Sequence, residues 1–233
     1  MTTDLPPYVP LVFGLTVVVT ILFFHYALLR AMSPPRAMMI TGALLLWTAI
    51  QSGLAIRGFY LKNLDSLPPR FLLILVPALV LILLIFSMKK GRVFVSRLPI
   101  VLLTHLSIIR VPVELVLYWL FLYHQVPELM TFAGRNFDIL AGLTAPLVAY
   151  FGLQRSFISP RGLILWNVIA LGLLLFIVAN AILSTPTPVQ QFAFDQPNLA
   201  IFYFPFVLLP AVVVPIVLFS HLASLYKLYN SNR

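Results

Sequence analysis

The chain has 233 residues, 61% of them apolar and 9% charged, with a mean hydropathy of +1.04 and a formal net charge of +9. A soluble domain carries roughly 25% charged residues, so there is too little polar surface here for a water-soluble globule, and lipid must be the main solvent. The composition also excludes a disordered chain, and the lack of cysteine excludes thiolate catalysis, Fe–S clusters, Cys-ligated zinc and disulfides.

The positive charge does not point to nucleic acid. Its densest cluster is Lys89-Lys90-Gly91-Arg92, and the cations fall between apolar stretches, where membrane proteins keep cytoplasmic charge. Seven such stretches, at 9–29, 37–56, 71–88, 98–123, 137–153, 162–183 and 199–222, approach the length of about 20 residues that crosses a bilayer core. Leu, Val and Ile occur on both faces of each, which excludes the alternating pattern of a membrane β-barrel. The expected fold is therefore an all-α integral membrane protein, a seven-transmembrane-helix bundle forming one polytopic domain over residues 1–233.

The first stretch is not expected to be a cleaved signal peptide. Its flank carries Asp4 and no cation, and its apolar run exceeds the 7–15 residues of a signal core. The second holds a mild polar stripe of Thr41, Thr48, Gln51 and Ser52 beside Trp47. Hydroxyls can return their bonds to their own helix, but Gln51 is expected to join a polar interior.

The fourth stretch contains Arg110 and Glu114 near its middle. Facing lipid, the two charges would cost roughly 5–7 kcal/mol, so they must face protein or water. Thr104, Ser107, Arg110, Glu114, Tyr118, Phe121 and Gln125 recur at three- and four-residue steps, which places them on one helical stripe. Arg110 and Glu114 stand four apart and can neutralise each other. Pro112 between them has no N–H to donate, which frees the carbonyl of Ile108. The pair reads either as an ion pair that fixes helix register or as contacts for a substrate head group or proton.

In the fifth stretch Asp138, Ala141, Ala145 and Ala149 share a stripe, and small residues at that spacing let helices approach closely. Asp138 has a purely structural alternative, stabilising the helix start next to an N-capping Asn136. Asn167 is the polar residue of the sixth stretch. The loop 184–198, free of Lys and Arg and rich in Pro and Gln, reads as a cap or as a lid over a cavity. Pro205, Pro210 and Pro215 punctuate the seventh stretch and are expected to bend it.

His25, His105 and His221 lie near the same end of their three stretches, a set that would suit zinc or axial haem ligation if they converge. A retinal Schiff base is not expected, because Lys62, Lys89, Lys90 and Lys227 all lie outside the apolar cores. No nucleophile-elbow or phosphate-loop motif occurs.

Orientation follows from the alternate loops. One side carries Arg30, Arg36, Lys89, Lys90, Arg92, Arg97, Arg155, Arg161, Lys227 and Arg233; the other carries Arg57, Lys62, Arg70 and Arg135. Ten against four puts the C-terminus in the cytoplasm and the N-terminus outside. The location expected is a bacterial cytoplasmic membrane or its eukaryotic equivalent, with oligomerisation left open. The leading functional expectation is binding or transport of a small lipophilic or amphiphilic ligand by Arg110 and Glu114, with Tyr118, Asp138 and Gln51 as secondary contacts. The alternatives are a membrane-embedded metal or haem enzyme built on the three histidines, and a structural or interaction subunit.

Overall fold

The structure is a computed structural model that describes residues 5–231. Asp4 and Arg233, used above for the first flank and for the charge tally, lie outside the described residues. Among those described, every regular element is helical.

The elements are α1 (Tyr8–Ala31), α2 (Pro34–Ile56), α3 (Leu72–Ser87), α4 (Lys89–Arg97), α5 (Ile100–Leu122), α6 (Ile139–Gln154), α7 (Pro160–Leu183) and α8 (Leu209–Asn230). Five of them (α1, α2, α5, α7 and α8) are long and apolar enough to cross a membrane. The bent pair α3 and α4 raises the number to six if it counts as one span. At 1.5 Å per residue, α6 is about 24 Å long, short of a bilayer core of about 30 Å.

Local sequence explains most boundaries. Ser33 is extended and Pro34-Pro35 open α2, where a missing N–H costs nothing. Ser159 is likewise extended, accepts a bond from the Gly162 amide at 3.2 Å, and starts α7 with Pro160. Between α3 and α4 the axis turns by 94° at Met88, whose backbone is extended. In α5, Leu106–Ile109 tightens into a 3-10 turn just upstream of Pro112, where the carbonyl of Ile108 loses its usual donor.

The seventh apolar stretch departs from expectation. Its helix begins at Leu209, and residues 199–208 form a short 3-10 turn and irregular chain. Pro205 cannot donate within a helix, while the segment is buried in protein through Ala200, Phe202 and Val207, where irregular backbone is tolerated at membrane depth. The first turn of α8, Leu209–Val213, is π-helical around Pro210.

Helix α8 is the most enclosed, followed by α5 and then α1, whereas α2 is the most exposed. The core joins Phe13 and Val17 of α1, Leu103, Val116 and Leu120 of α5, and Val212 and Val217 of α8. Leu45, Leu46 and Ile50 of α2 and Leu165 and Ile169 of α7 remain exposed, as lipid-facing side chains do. In lipid no hydrophobic force drives helices together, so close fit has to hold them. Ala141, Ala145 and Ala149 are all buried, as their shared stripe predicts. A Cβ on Gly142 would lie 2.9 Å from Val111 Cγ2, so its absence lets α6 approach α5 closely.

Candidate functional site

The α5 stripe behaves as its spacing predicts at its first four positions. Thr104, Ser107, Arg110 and Glu114 are buried, Arg110 to 3% and Glu114 to 1% relative exposure. Ile108, Leu115 and Leu122 on the other side are exposed. The two charges therefore face protein.

The arginine's partner is not Glu114. Arg110 Nη1 donates to Asp138 Oδ1 at 2.7 Å, the salt bridge found among the described residues, and to the carbonyl of Ala170 at 3.1 Å. Its Nη2 stands 2.7 Å from His221 Nε2. Arginine has no acceptor, so Nε2 accepts and His221 is the neutral Nδ1–H tautomer. That Nδ1 donates to Asn167 Oδ1 at 3.0 Å, and Asn167 Nδ2 donates to the carbonyl of Leu163 at 2.9 Å. The expected Arg110–Glu114 neutralisation is thus replaced by pairing between helices, because α6 approaches closely enough to offer its own carboxylate.

Asp138 stands at the start of α6 but its side chain caps nothing. The cap-like bond comes from Asn136, whose Oδ1 accepts from the Asp138 amide at 3.0 Å. Asn136 Nδ2 donates to Glu114 Oε1 at 2.5 Å and to the Met130 carbonyl at 3.0 Å. One asparagine therefore links the Glu114 carboxyl to the main chain of Asp138. The network runs from Glu114 through Asn136, Asp138, Arg110 and His221 to Asn167, linking α5, α6, α7 and α8.

Two atoms in it stay unused. Glu114 Oε2 and Arg110 Nε are buried and have no hydrogen-bond partner among the described residues. Glu114 and Asp138 border a cavity of about 80 Å³, otherwise walled by apolar side chains such as Phe71, Leu174, Ile201 and Pro210. A water needs roughly 10–15 Å³ in the same measure, so several water-sized groups fit. A smaller void of about 10 Å³ shares the wall of Val113, Leu117, Met130, Ile201 and Leu209 and meets Asn198, whose Oδ1 is also unpartnered among the described residues. The unpartnered atoms of the residues lining these two spaces, Glu114 Oε2 and Asn198 Oδ1, are both acceptors.

The roof belongs to the 184–208 connection. Gln196 Nε2 donates to the carbonyls of Val126 at 2.6 Å and Phe121 at 3.1 Å, and His124 bonds Gln196 Oε1 at 2.9 Å. The amides of Leu199 and Ala200 both reach the Gln125 carbonyl. The loop is pinned onto the end of α5, and Ile201 beyond it closes the cavity.

The remaining expected contacts lie apart from this network. Tyr118 stacks on Phe132 with centroids 4.9 Å apart and does not border the cavity. Gln51 is buried, but its amide serves another joint: Oε1 accepts from the Tyr60 hydroxyl and Nε2 reaches the Leu73 carbonyl at 3.4 Å, tying α2 to α3. The three histidines do not converge. His25 Nδ1 pairs with Thr41 Oγ1 at 2.7 Å, His105 Nδ1 with its own helix at the Val101 carbonyl, and His221 with Arg110 and Asn167. Among the described residues no group of three His, Asp or Glu is placed to hold a metal ion, so His25, His105 and His221 do not form the three-ligand zinc set their positions suggested.

Sequence reading overlooked the bridging role of Asn136, the Ala170 carbonyl and the Arg110–His221 bond. The available signal was that each lies within an apolar stretch or at its edge while carrying a polar group in need of a partner. Comparison with protein-family models, curated proteins and solved structures finds no match for this chain.

Proposed function

We propose that the chain is a seven-span membrane protein, N-terminus outside and C-terminus cytoplasmic, that binds or transports a small, partly apolar molecule through the cavity at Glu114. In this reading α3 is a span, α4 lies along the membrane surface, and α6 is a short span. The distribution of Lys and Arg supports the orientation. The membrane is the bacterial cytoplasmic membrane or its eukaryotic equivalent.

The observation that carries the reading is Glu114 Oε2, a buried carboxylate oxygen without a partner among the described residues beside an otherwise apolar cavity. Buried polar atoms are normally satisfied, and intramembrane carboxylates mark functional paths. Charge bookkeeping gives the polarity of the ligand. Asp138 balances Arg110 and His221 is neutral, so Glu114 is the uncompensated group. The matching molecule carries an apolar body and a donor end, an amine or a hydroxyl. Arg110 and Asp138 hold the frame.

Isothermal titration of 1-hexylamine and 1-hexanol into the protein in phosphatidylcholine nanodiscs, with empty discs as the blank, tests this. A hydrogen bond to a charged group is worth about 1.5–3 kcal/mol, so Glu114→Leu should weaken hexylamine by about 10- to 100-fold. Unchanged binding by a folded Glu114→Leu variant would remove Glu114 from the site. One observation favours a structural role instead: Arg110 commits both terminal nitrogens to protein partners. That reading predicts no saturable binding of either probe.

A further inference from the structure

Helix α4 concentrates Lys89, Lys90, Arg92 and Arg97 in nine residues with no acid. Its other face packs inward. Val95 and Leu98 are buried, and Phe94 stacks on Phe219 of α8 with centroids 6.2 Å apart. Gly91 allows this, since a Cβ there would lie 2.0 Å from the Ile85 carbonyl oxygen. Arg92 Nη1 donates to the carbonyls of Phe86 and Ser87 at 3.0 and 2.8 Å, fixing the bend to the end of α3.

Below this bend a groove of about 570 Å³ opens between α2 and α3, floored by α8. Leu44 and Trp47 line one wall, Pro77 and Leu81 the other, and Phe94 and Phe219 close the end toward α4. From Ala211 to Phe219 the floor runs about 12 Å along the helix, close to the depth of one leaflet of a core about 30 Å thick. The wall residue Leu81 is 59% exposed, so the groove is open sideways.

At its α4 end stands a second recess of about 380 Å³, lined by Lys89, Arg92, Val93, Ser96 and Tyr226. Val93 and Phe94 are sequence neighbours, one in each lining, and Phe86 touches both Phe219 and Tyr226, with centroids 6.0 and 6.1 Å away. An apolar groove about as long as one leaflet is deep and a cationic recess without a carboxylate therefore lie next to each other, joined through Phe86, Val93 and Phe94.

We infer that the α2–α3 groove and the Lys89–Arg92 recess form one binding site for an anionic phospholipid, with an acyl chain in the groove and the phosphate at α4. Charge complementarity selects an anionic headgroup over a zwitterionic one, and the lateral opening admits the chain from the bilayer. The inference needs the helices to lie in a membrane but is independent of ligand binding at Glu114.

Trp47 lines the groove and reports on it, and the other two tryptophans are Trp119 and Trp166. In a Trp119→Phe/Trp166→Phe background the chain is reconstituted in phosphatidylcholine vesicles containing phosphatidylglycerol. Brominated chains are placed on one lipid or the other. Each nearby cation favours an anionic lipid by about fivefold. Brominated phosphatidylglycerol should therefore quench Trp47 with a several-fold higher partition coefficient than brominated phosphatidylcholine, and Lys89→Gln should cut that preference about fivefold. Ala78→Phe, which fills the groove, should lower quenching by brominated phosphatidylglycerol. Equal quenching by the two lipids, or a preference unaffected by Lys89→Gln, overturns the proposal. Spin-labelled forms of both lipids added to the unsubstituted chain make the same comparison if the tryptophan-depleted variant does not fold.

Discussion

Replacing Asp138 with Asn tests the centre of the network. The side chain keeps its size and an acceptor oxygen but loses its charge. Of the three groups that accept from Arg110, Asp138 alone is charged; the Ala170 carbonyl and His221 are neutral. The substitution leaves a guanidinium at 3% exposure with no counter-ion in direct contact. An uncompensated charge at the centre of a membrane helix costs about 2.5–3.5 kcal/mol, so about 3 kcal/mol of stability should disappear, more than a hundredfold in the unfolding constant. Reversible unfolding in mixed dodecyl sulfate micelles, followed by far-UV circular dichroism, measures it. Arg110→Gln should cost a similar amount, and the double substitution little more than either alone, giving a coupling energy of about 2–3 kcal/mol. Ordinary intramembrane hydrogen bonds couple at only about 0.6 kcal/mol on average. A coupling that small would refute the claim that this ion pair organises the bundle.

Two further outcomes follow from contacts away from the pair. Burial at the α2–α3 joint pushes the Tyr60 hydroxyl up to about 12, against an ordinary value near 10. The unfolded chain therefore loses this proton first as pH rises, so the stabilisation is complete below about pH 10 and fades between about 10 and 12; Tyr60→Phe should flatten the stability profile there, and a phenolate absorbance change with a midpoint near 10 for Tyr60 would contradict it. Gln196→Ala removes bonds that pin the roof loop to the Phe121 and Val126 carbonyls. With no native cysteine, an Ile201→Cys reporter can be labelled cleanly by a small maleimide, and labelling should accelerate several-fold in the Gln196→Ala background; an unchanged rate would show that these bonds do not hold the roof.

The legible part of this protein was what one helix can say about itself. The step between Thr104, Ser107, Arg110 and Glu114 required a buried face whatever surrounded it, and these residues are buried. Ala141, Ala145 and Ala149 marked a packing face by the same logic. Periodicity does not say which helices become neighbours, so a local partner four residues away looked adequate for Arg110 while the actual partners, Asp138 and His221, lie 28 and 111 positions along the chain. Gln51 shows the same gap: its burial was legible, but its partner Tyr60 required knowledge of the turn beyond α2. Hydropathy also failed to separate residues 199–208 from α8, because an irregular segment enclosed by protein is as apolar as a helix in lipid. The Pro205 signal was present but was read as a bend within a helix.

Glu114 should respond oppositely to Asp138, and this contrast separates a working group from a framework group. Its Oε1 accepts from Asn136 and its Oε2 from no described residue, while Asn136 Nδ2 has a second acceptor in the Met130 carbonyl. Removing the carboxyl therefore leaves Asn136 bonded and takes away a buried oxygen that has no partner among the described residues. Replacing buried ionic groups with apolar ones of similar volume is often neutral or stabilising when no charged partner is left behind unpaired, and Glu114 is in no salt bridge among the described residues. Glu114→Met should accordingly change unfolding stability by no more than about 0.5 kcal/mol in the destabilising direction, and the gain can reach about 1 kcal/mol or more. Proteins keep such locally unfavourable groups where function requires them. A loss above about 2 kcal/mol in the same unfolding assay would mean that Glu114 braces the bundle as Asp138 does, and the cavity would then be a packing gap in a structural protein.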